Sequence, residues 1–408
     1  MRAHLISNWL DGQVAGKRLP FGEVVVLQHG KEVVRHFNPG ATKNDLNSIY
    51  RIYSMTKPIV SLALMLLHEQ GKVQLGEPVW MYLGEAWKKK NMCVVDDSQS
   101  KLQGKLVTKP CQSSITVHQL LTHTSGLSHG LSPPELGHPV DTYYAQHGLS
   151  GGEVLMNAST RFDTVQAFCD ELAKAPLSFQ PGQQWQYSWS VELIGRIVEV
   201  ISKQTLEDFL VENIFSKLGM SDTSFFLSPS KQHRLSDMFL PHNQTSFKAK
   251  KRPFVPLRYC SGSGGLYSTT NDYVKFCEML VNDGRAASGE QIVSPYTLSW
   301  ITSNHLKHPL TGQTSTVREL GVCEIAKDTS RGVGFGLGVA VVEDNRFDGS
   351  LAFPGEYYWS GAASTFFFIN PKDKVAVVFV TQLLMPLSRD LPIHSQLHAV
   401  VYGALTKL

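Results

Sequence analysis

Strand-like runs stand at both ends of this chain and helical periodicity fills the stretch between them, and no other feature narrows the fold as far. GEVVVLQHGKEVVRHF, Gly22 to Phe37, carries two β-branched runs around His29-Gly30-Lys31, the pattern of an antiparallel hairpin. Toward the other end, GFGLGVAVVE from Gly334, STFFFINP from Ser364 and VAVVFVTQ from Val375 read as strands, with a turn at Asn370 to Lys374 between the last two. VELIGRIVEVISKQ from Val191 and TLEDFLVENIFSKLG from Thr205 repeat at helical spacing, and His394 to Leu408 reads as a closing helix. The expectation is an α/β (α+β) protein in which residues 1–80 and 269–408 build one discontinuous antiparallel sheet with flanking helices. Residues 81–268 form a mostly helical lobe, and the catalytic cleft lies between the two. Residues 84–113, polar and broken by Gly and Pro, read as a long surface excursion.

A formal charge of +3 on 408 residues, with no basic block beyond Lys88 to Lys90, points away from nucleic acid as a partner. No segment has the uncharged length of a membrane helix, and MRAHLISNWLDGQVAGKRLP lacks the apolar core of a secretory signal, so the expectation is a cytoplasmic protein without a membrane span. Cys93, Cys111, Cys169, Cys260, Cys277 and Cys323 form no CxxC pair, which fits reduced thiols better than disulfides or zinc.

Two serine chemistries compete. GLSHG, Gly126 to Gly130, spells Gly-x-Ser-x-Gly, but a nucleophile elbow follows a buried strand and opens a helix. Here the preceding ITVHQLLTHTS is helical in spacing, and Ser132, Pro133 and Pro134 follow; Ser128 therefore reads as part of a turn with Gly126 as the helix C-cap. Ser-x-x-Lys, which puts the amine one helical turn from the hydroxyl, occurs at Ser54/Lys57, Ser98/Lys101 and Ser228/Lys231. The last two stand in polar surroundings. Ser54 heads SMTKPIVSLALMLLHEQG, whose interior from Ile59 to Leu67 is nearly all apolar, so that helix is buried, with Pro58 in its first turn and Gly71 at its close. The positive helix end and burial both disfavour an ammonium, so Lys57 is expected to be neutral often enough to take the Ser54 proton.

RIYSMTKPI at 51–59, LLTHTSGL at 120–127, PGQQWQYSWSVELIG at 181–195, SGSGGLYSTTNDY at 261–273 and WSG at 359–361 stand in the order found in class C β-lactamase-related serine hydrolases. The chain resembles the family VIII carboxylesterase branch most. The resemblance implies a β-lactamase/transpeptidase-like fold, Ser54 as the acylated nucleophile, Lys57 as its base and Tyr187 as the residue that shuttles protons. It also implies an oxyanion hole made by the backbone N–H groups of Ser54 and Ala362. Two departures stand out: Trp189 replaces the asparagine two residues after the tyrosine, and Trp359-Ser360-Gly361 replaces Lys-Thr-Gly. Losing that lysine removes a partner for a substrate carboxylate and favours neutral esters. Trp189, Trp359, Ser360 and Gly361 are the implied substrate contacts, with Tyr357 and Tyr358 adding to a possible aromatic pocket.

The implied activity is hydrolysis of short or medium acyl esters through an acyl-enzyme, without cofactor or metal. Acyl transfer by the same intermediate, weak β-lactamase or amino-peptidase action, and a catalytically silent penicillin-binding-like protein remain the alternatives. His123 reads as a turn stabiliser, and His394 and His398, four apart without a HExxH glutamate, as a satisfied pair rather than metal ligands. Gly332, Gly334, Gly336 and Gly338 leave one strand face bare, for either a packed helix or a close substrate.

Overall fold

The computed structural model describes residues 1–131, 139–151, 161–243, 246–250, 258–306, 332–346, 350–384 and 393–406. Cys323, Ser132, Pro133, Pro134, Lys407 and Leu408 lie outside them.

Seven strands form one antiparallel sheet: β1 (Gly22–Gln28), β2 (Lys31–Asn38), β3 (Val333–Phe335), β4 (Ala340–Val342), β5 (Tyr357–Ser360), β6 (Phe366–Asn370) and β7 (Val375–Val380). Their order is β2-β1-β7-β6-β5-β4-β3, so the N-terminal hairpin adds to strands from the far end of the chain. Glu23 stands opposite Val380, and Gln28 opposite Val375. The β1–β2 turn follows the expected chemistry, with His29 at φ 51° and Gly30 at φ 71°, the two left-handed residues a tight hairpin needs.

The helices that matter for the site are α1 (His4–Ala15), α2 (Thr56–Glu69), α3 (Val117–Leu121), α4 (Ser190–Ser202), α5 (Thr270–Val281) and α6 (Ile393–Ala404). Side chains alternate across the sheet, and β6 shows both faces at once. Phe366 and Phe368 stack on His394 and His398 of α6, at 4.1 and 4.2 Å between centroids, whereas Phe367 packs 5.4 Å from Tyr273 of α5. α1 joins α6, with Trp9 Nε1 donating to Gln396 at 3.1 Å. α2 packs against α4 on the other side, and every residue from Thr56 to Leu67 is buried. Each large apolar side chain so enclosed contributes about 1.5–3 kcal/mol. The helix stops where Lys72 N–H reaches back to Leu67 O at 3.0 Å around Gly71 at φ 71°.

Several expectations need correction. The run from Gly334 is a hairpin, β3 and β4, closed by Gly336 N–H on Val339 O at 2.8 Å. Its glycines do not share a bare face: Gly332 and Gly338 are turn residues at φ 97° and 99°, while a Cβ on Gly336 would meet Ile301 O at 2.2 Å. The excursion at 84–113 is structured, with strands Cys93–Val95 and Thr108–Pro110 around a short helix, Asp97–Gln103, and a buried Trp87. The five described cysteines are free. Among the described residues no helix is long and apolar enough to cross a membrane.

Candidate active site

Ser54 stands where an irregular turn meets the buried helix. Strand Tyr50–Arg51 pairs with Tyr267–Ser268, and the Gln382 side chain holds Arg51 by both backbone groups, accepting from its N–H at 3.0 Å and donating to its C=O at 3.1 Å. A single 3₁₀ turn, Tyr53–Met55, then runs into α2. Tyr53 has φ 45°, a conformation that costs a residue with a side chain about 1–3 kcal/mol and that clusters at functional sites. Ser54 is half-exposed, whereas Lys57, the second residue of α2, is 1% exposed.

Lys57 Nζ donates to Ser54 Oγ at 3.2 Å and to Ser263 O at 2.6 Å. Tyr187 Oη shares a hydrogen bond with Ser54 Oγ at 2.7 Å, and the Lys57 amine lies 4.6 Å from the centroid of the Tyr187 ring. The Lys57 and Tyr187 side chains thus converge on one oxygen, Oγ of the half-buried Ser54.

Tyr187 owes its place to a pairing of two segments. Gln186 N–H donates to His123 O at 2.9 Å, and Trp189 N–H to Ser128 O at 3.1 Å. A buried ladder runs beside them: His123 Nδ1 to Ser188 Oγ at 2.9 Å, Ser188 Oγ to Ser190 Oγ at 2.8 Å, and Ser190 Oγ to Ser125 Oγ at 2.9 Å. His129 lies between the rings of Tyr187 and Trp189, at 5.0 and 4.0 Å between centroids. Burial, with the Lys57 charge second, holds both His123 and His129 well below the usual imidazole range. Trp189, expected to contact substrate, is therefore separated from Tyr187 by His129, and its Nε1 donates to Leu149 O at 2.8 Å. Its side chain backs the site.

The end of β5 closes the other side. Trp359 packs 5.8 Å from the Tyr187 ring and 5.4 Å from Phe335, on the sheet face turned to α5. Ser360 pairs with Phe366, so it shares the opposite face, the one covered by α6, and its side chain points away from the one carrying Trp359. Tyr358 lies on that face too, 5.7 Å from Phe366. Gly361 has a geometric reason to be glycine: a Cβ there would lie 2.4 Å from Ile52 O and 2.3 Å from Thr365 Oγ1. This close approach sets the β5 end against the turn that carries Ser54. Among the described residues, the backbone N–H groups of Ser54 and Ala362 donate to no protein acceptor.

The competing candidates are engaged otherwise. Ser128 is buried, donates to an Asp141 carboxylate oxygen and accepts from Gly130 N–H at 3.1 Å. α3 ends at Leu121, and the left-handed residue that follows it is His123 at φ 54°, so Gly126 is not its C-cap. Gly126, at φ 87°, lies where a Cβ would meet Phe179 O at 2.3 Å. Ser98 and Ser228 are exposed, and Lys231 pairs with Asp222 at 3.0 Å. His398 is buried against Glu356 at 2.7 Å, with Nδ1 on His394 O at 3.0 Å.

Sequence reasoning passed over Glu192. It is fully buried in the first turn of α4 and accepts from Ser261 Oγ, from Gly262 N–H at 3.0 Å and from Ser263 N–H at 3.3 Å. Burial, opposed by the Ser261 bond and then by the Lys57 charge, pushes its carboxyl up to about 7. A charged residue amid Val191, Leu193 and Ile194 was the available signal.

The chain is similar to known proteins over most of its length. Esterase EstB of Burkholderia gladioli is 27% identical over 393 residues, covering 91% of this chain and 88% of that protein. Protein Rv1367c of Mycobacterium tuberculosis is 30% identical over 84% of this chain and 80% of its own length. The solved structure of EstCE1, described as a hydrolase with promiscuous acyltransferase activity, superposes with a TM-score of 0.75 at 21% identity, covering 98% of both chains. Residues 6–399 match the family described as Beta-lactamase, and with nearly its whole length so matched, the chain belongs to the β-lactamase family.

Proposed function

We propose that this chain is a serine esterase that works through an acyl-enzyme on Ser54. The observation that carries the reading is the convergence of Lys57 Nζ and Tyr187 Oη on Oγ of the half-buried Ser54, at 3.2 and 2.7 Å. The esterase named among the relatives supports the substrate class.

In this reading Ser54 Oγ attacks the ester carbonyl carbon while its proton passes to the Lys57–Tyr187 pair. A neutral lysine amine can accept it, and burial favours that neutral form. The carbonyl oxygen becomes an oxyanion between the unengaged N–H groups of Ser54 and Ala362. Donors fixed in advance on a developing charge are worth about 2.7–4 kcal/mol each. The C–O bond to the alcohol then breaks, and the alcohol leaves with a proton from Tyr187. Water attacks the Ser54 ester with the same pair as base, releasing the acid and restoring the Ser54 hydroxyl. An alcohol taking the place of that water gives acyl transfer by the same steps.

Trp359 stands where the resemblance would place a lysine, and it is buried against Tyr187 and Phe335, so it offers no cation to a substrate carboxylate. Neutral esters of short or medium acyl chains suit such a site, since an anion there would give up water for no cation. The test is mass spectrometry of the peptide bearing Ser54 after rapid quenching with p-nitrophenyl butyrate. A butyryl mass on that peptide is expected; acylation elsewhere overturns the reading.

A further inference from the structure

Glu192 has no place in the steps above, yet it is a fully buried carboxylate beside them. Its three bonds go to neutral donors, all from one turn, Ser261 to Ser263. That turn is forced close to α4, because a Cβ on Gly262 would lie 2.7 Å from Val191 O. Its last carbonyl, Ser263 O, is the acceptor that holds Lys57 Nζ at 2.6 Å. One side chain thus fixes the turn, and the turn fixes the amine.

We propose that Glu192 is a positioning residue for the Ser54–Lys57 pair, clamping the turn that holds Lys57 Nζ and supplying the buried negative charge opposite the Lys57 ammonium. The inference rests on the reading of Ser54 as nucleophile.

The surroundings leave Lys57 as the cation that acts on Glu192. Cys169, from helix Val165–Leu172, and Tyr259 also face it, and burial pushes both well above their usual ranges, so they stay neutral. Arg196, one turn along α4, pairs with Glu199 at 3.2 Å. On the other side, Lys57 is faced by His123 and His129, both held neutral by burial. The carboxyl and the amine therefore titrate as a coupled pair, and the loss of the anion disfavours the ammonium.

The pH profile of kcat/KM for p-nitrophenyl butyrate reads this directly. A base that must be neutral sets the acid limb. In Glu192→Gln the limb moves to lower pH by at least about one unit, because the ammonium has lost its counter-charge. In Ser261→Ala, which keeps the carboxyl but weakens its ionised form, the limb moves the same way by less. Glu192→Asp keeps the charge at a shorter reach, so its limb stays near that of the wild type while kcat falls. A purely structural Glu192 would lower kcat without moving the limb. Limbs unmoved in Glu192→Gln, or in Ser261→Ala if the first variant does not fold, overturn the proposal. Ser54→Ala run in parallel with a fluorophosphonate label separates the two claims. Labelling that persists there overturns the nucleophile, whereas labelling lost there with unmoved limbs overturns Glu192 alone.

Discussion

Ser54 and Tyr187 stand 133 residues apart in the chain, and their hydroxyl oxygens share a hydrogen bond of 2.7 Å. The contact is fixed from both sides: Ser54 by a strained turn ahead of a buried helix, Tyr187 by the ladder that ties residues 186–190 to 123–128.

Replacing Ser54 by Ala is expected to lower p-nitrophenyl butyrate turnover by about 10³-fold or more, the scale of losing a nucleophile that acts within a unit. Ser128→Ala is the control. It removes a bond to Asp141 and is expected to destabilise the fold by about 1–3 kcal/mol, since a buried carboxylate loses one hydrogen bond. Thermal unfolding should report that loss while kcat stays near the wild-type value; the reverse pattern would return the nucleophile to Ser128.

Tyr187→Phe keeps the ring against His129 and Trp359 and deletes only the hydroxyl. Acylation is expected to slow by about 10²–10⁴-fold, the range for a positioned proton-transfer group, with little change in melting temperature. Lys57→Ala is expected to be as slow. Normal burst kinetics in either variant would remove that residue from the scheme.

Gly361→Ala tests the oxyanion geometry. The added methyl would collide with Ile52 O and Thr365 Oγ1, forcing the β5 end and the Ser54 turn apart. The expected result is a fall in kcat of about 10–10³-fold with KM changed far less, because donors aimed at the oxyanion act in the transition state. An equal rise in KM alone would mean that the methyl blocks the substrate.

His129 gives a stability test with a definite sign. Its folded pKa is depressed well below 6.5 by burial first and by the Lys57 charge second. Below about pH 6.5 the unfolded chain takes up a proton that the folded chain refuses, so stability falls as the pH drops and is unaffected above that value. His129→Phe keeps a flat ring between Tyr187 and Trp189. It should make the slope of unfolding free energy between pH 6 and 5 shallower by about 1.4 kcal/mol per pH unit at most. Urea titrations at each pH measure it, and an unchanged slope would mean that His129 protonates freely in the fold.

Much of this was legible because local pattern and tertiary use coincide. The apolar run from Ile59 to Leu67 has no polar side to expose, so Ser54 and Lys57 had to stand at the edge of something dry. The β1–β2 hairpin and strands β6 and β7 announce themselves by β-branched and aromatic runs around turn residues. Other features depend on what meets what. The run from Gly334 conceals its fold-back because glycine serves turns and close packing alike. Trp189 looks exposed to substrate until His129 is seen between it and Tyr187. Ser360 and Trp359 are neighbours in sequence and face opposite sides of β5, which only the register with Phe366 and Phe367 reveals. Glu192 reads as one helix residue among many until its turn of partners arrives from residues 261–263.

The pairing of β1 with β7 carries a consequence for biosynthesis. The first central strand leaves the ribosome with its neighbour still unmade, because Val24 must wait for Phe379. Until then its edge is open, and Ser54, long since translated, has no Gly361 beside it. Chains that stop short of Gly361 and β7 are therefore expected to be inert toward esters and prone to stick to one another, and competence is expected to arrive only once those segments are made.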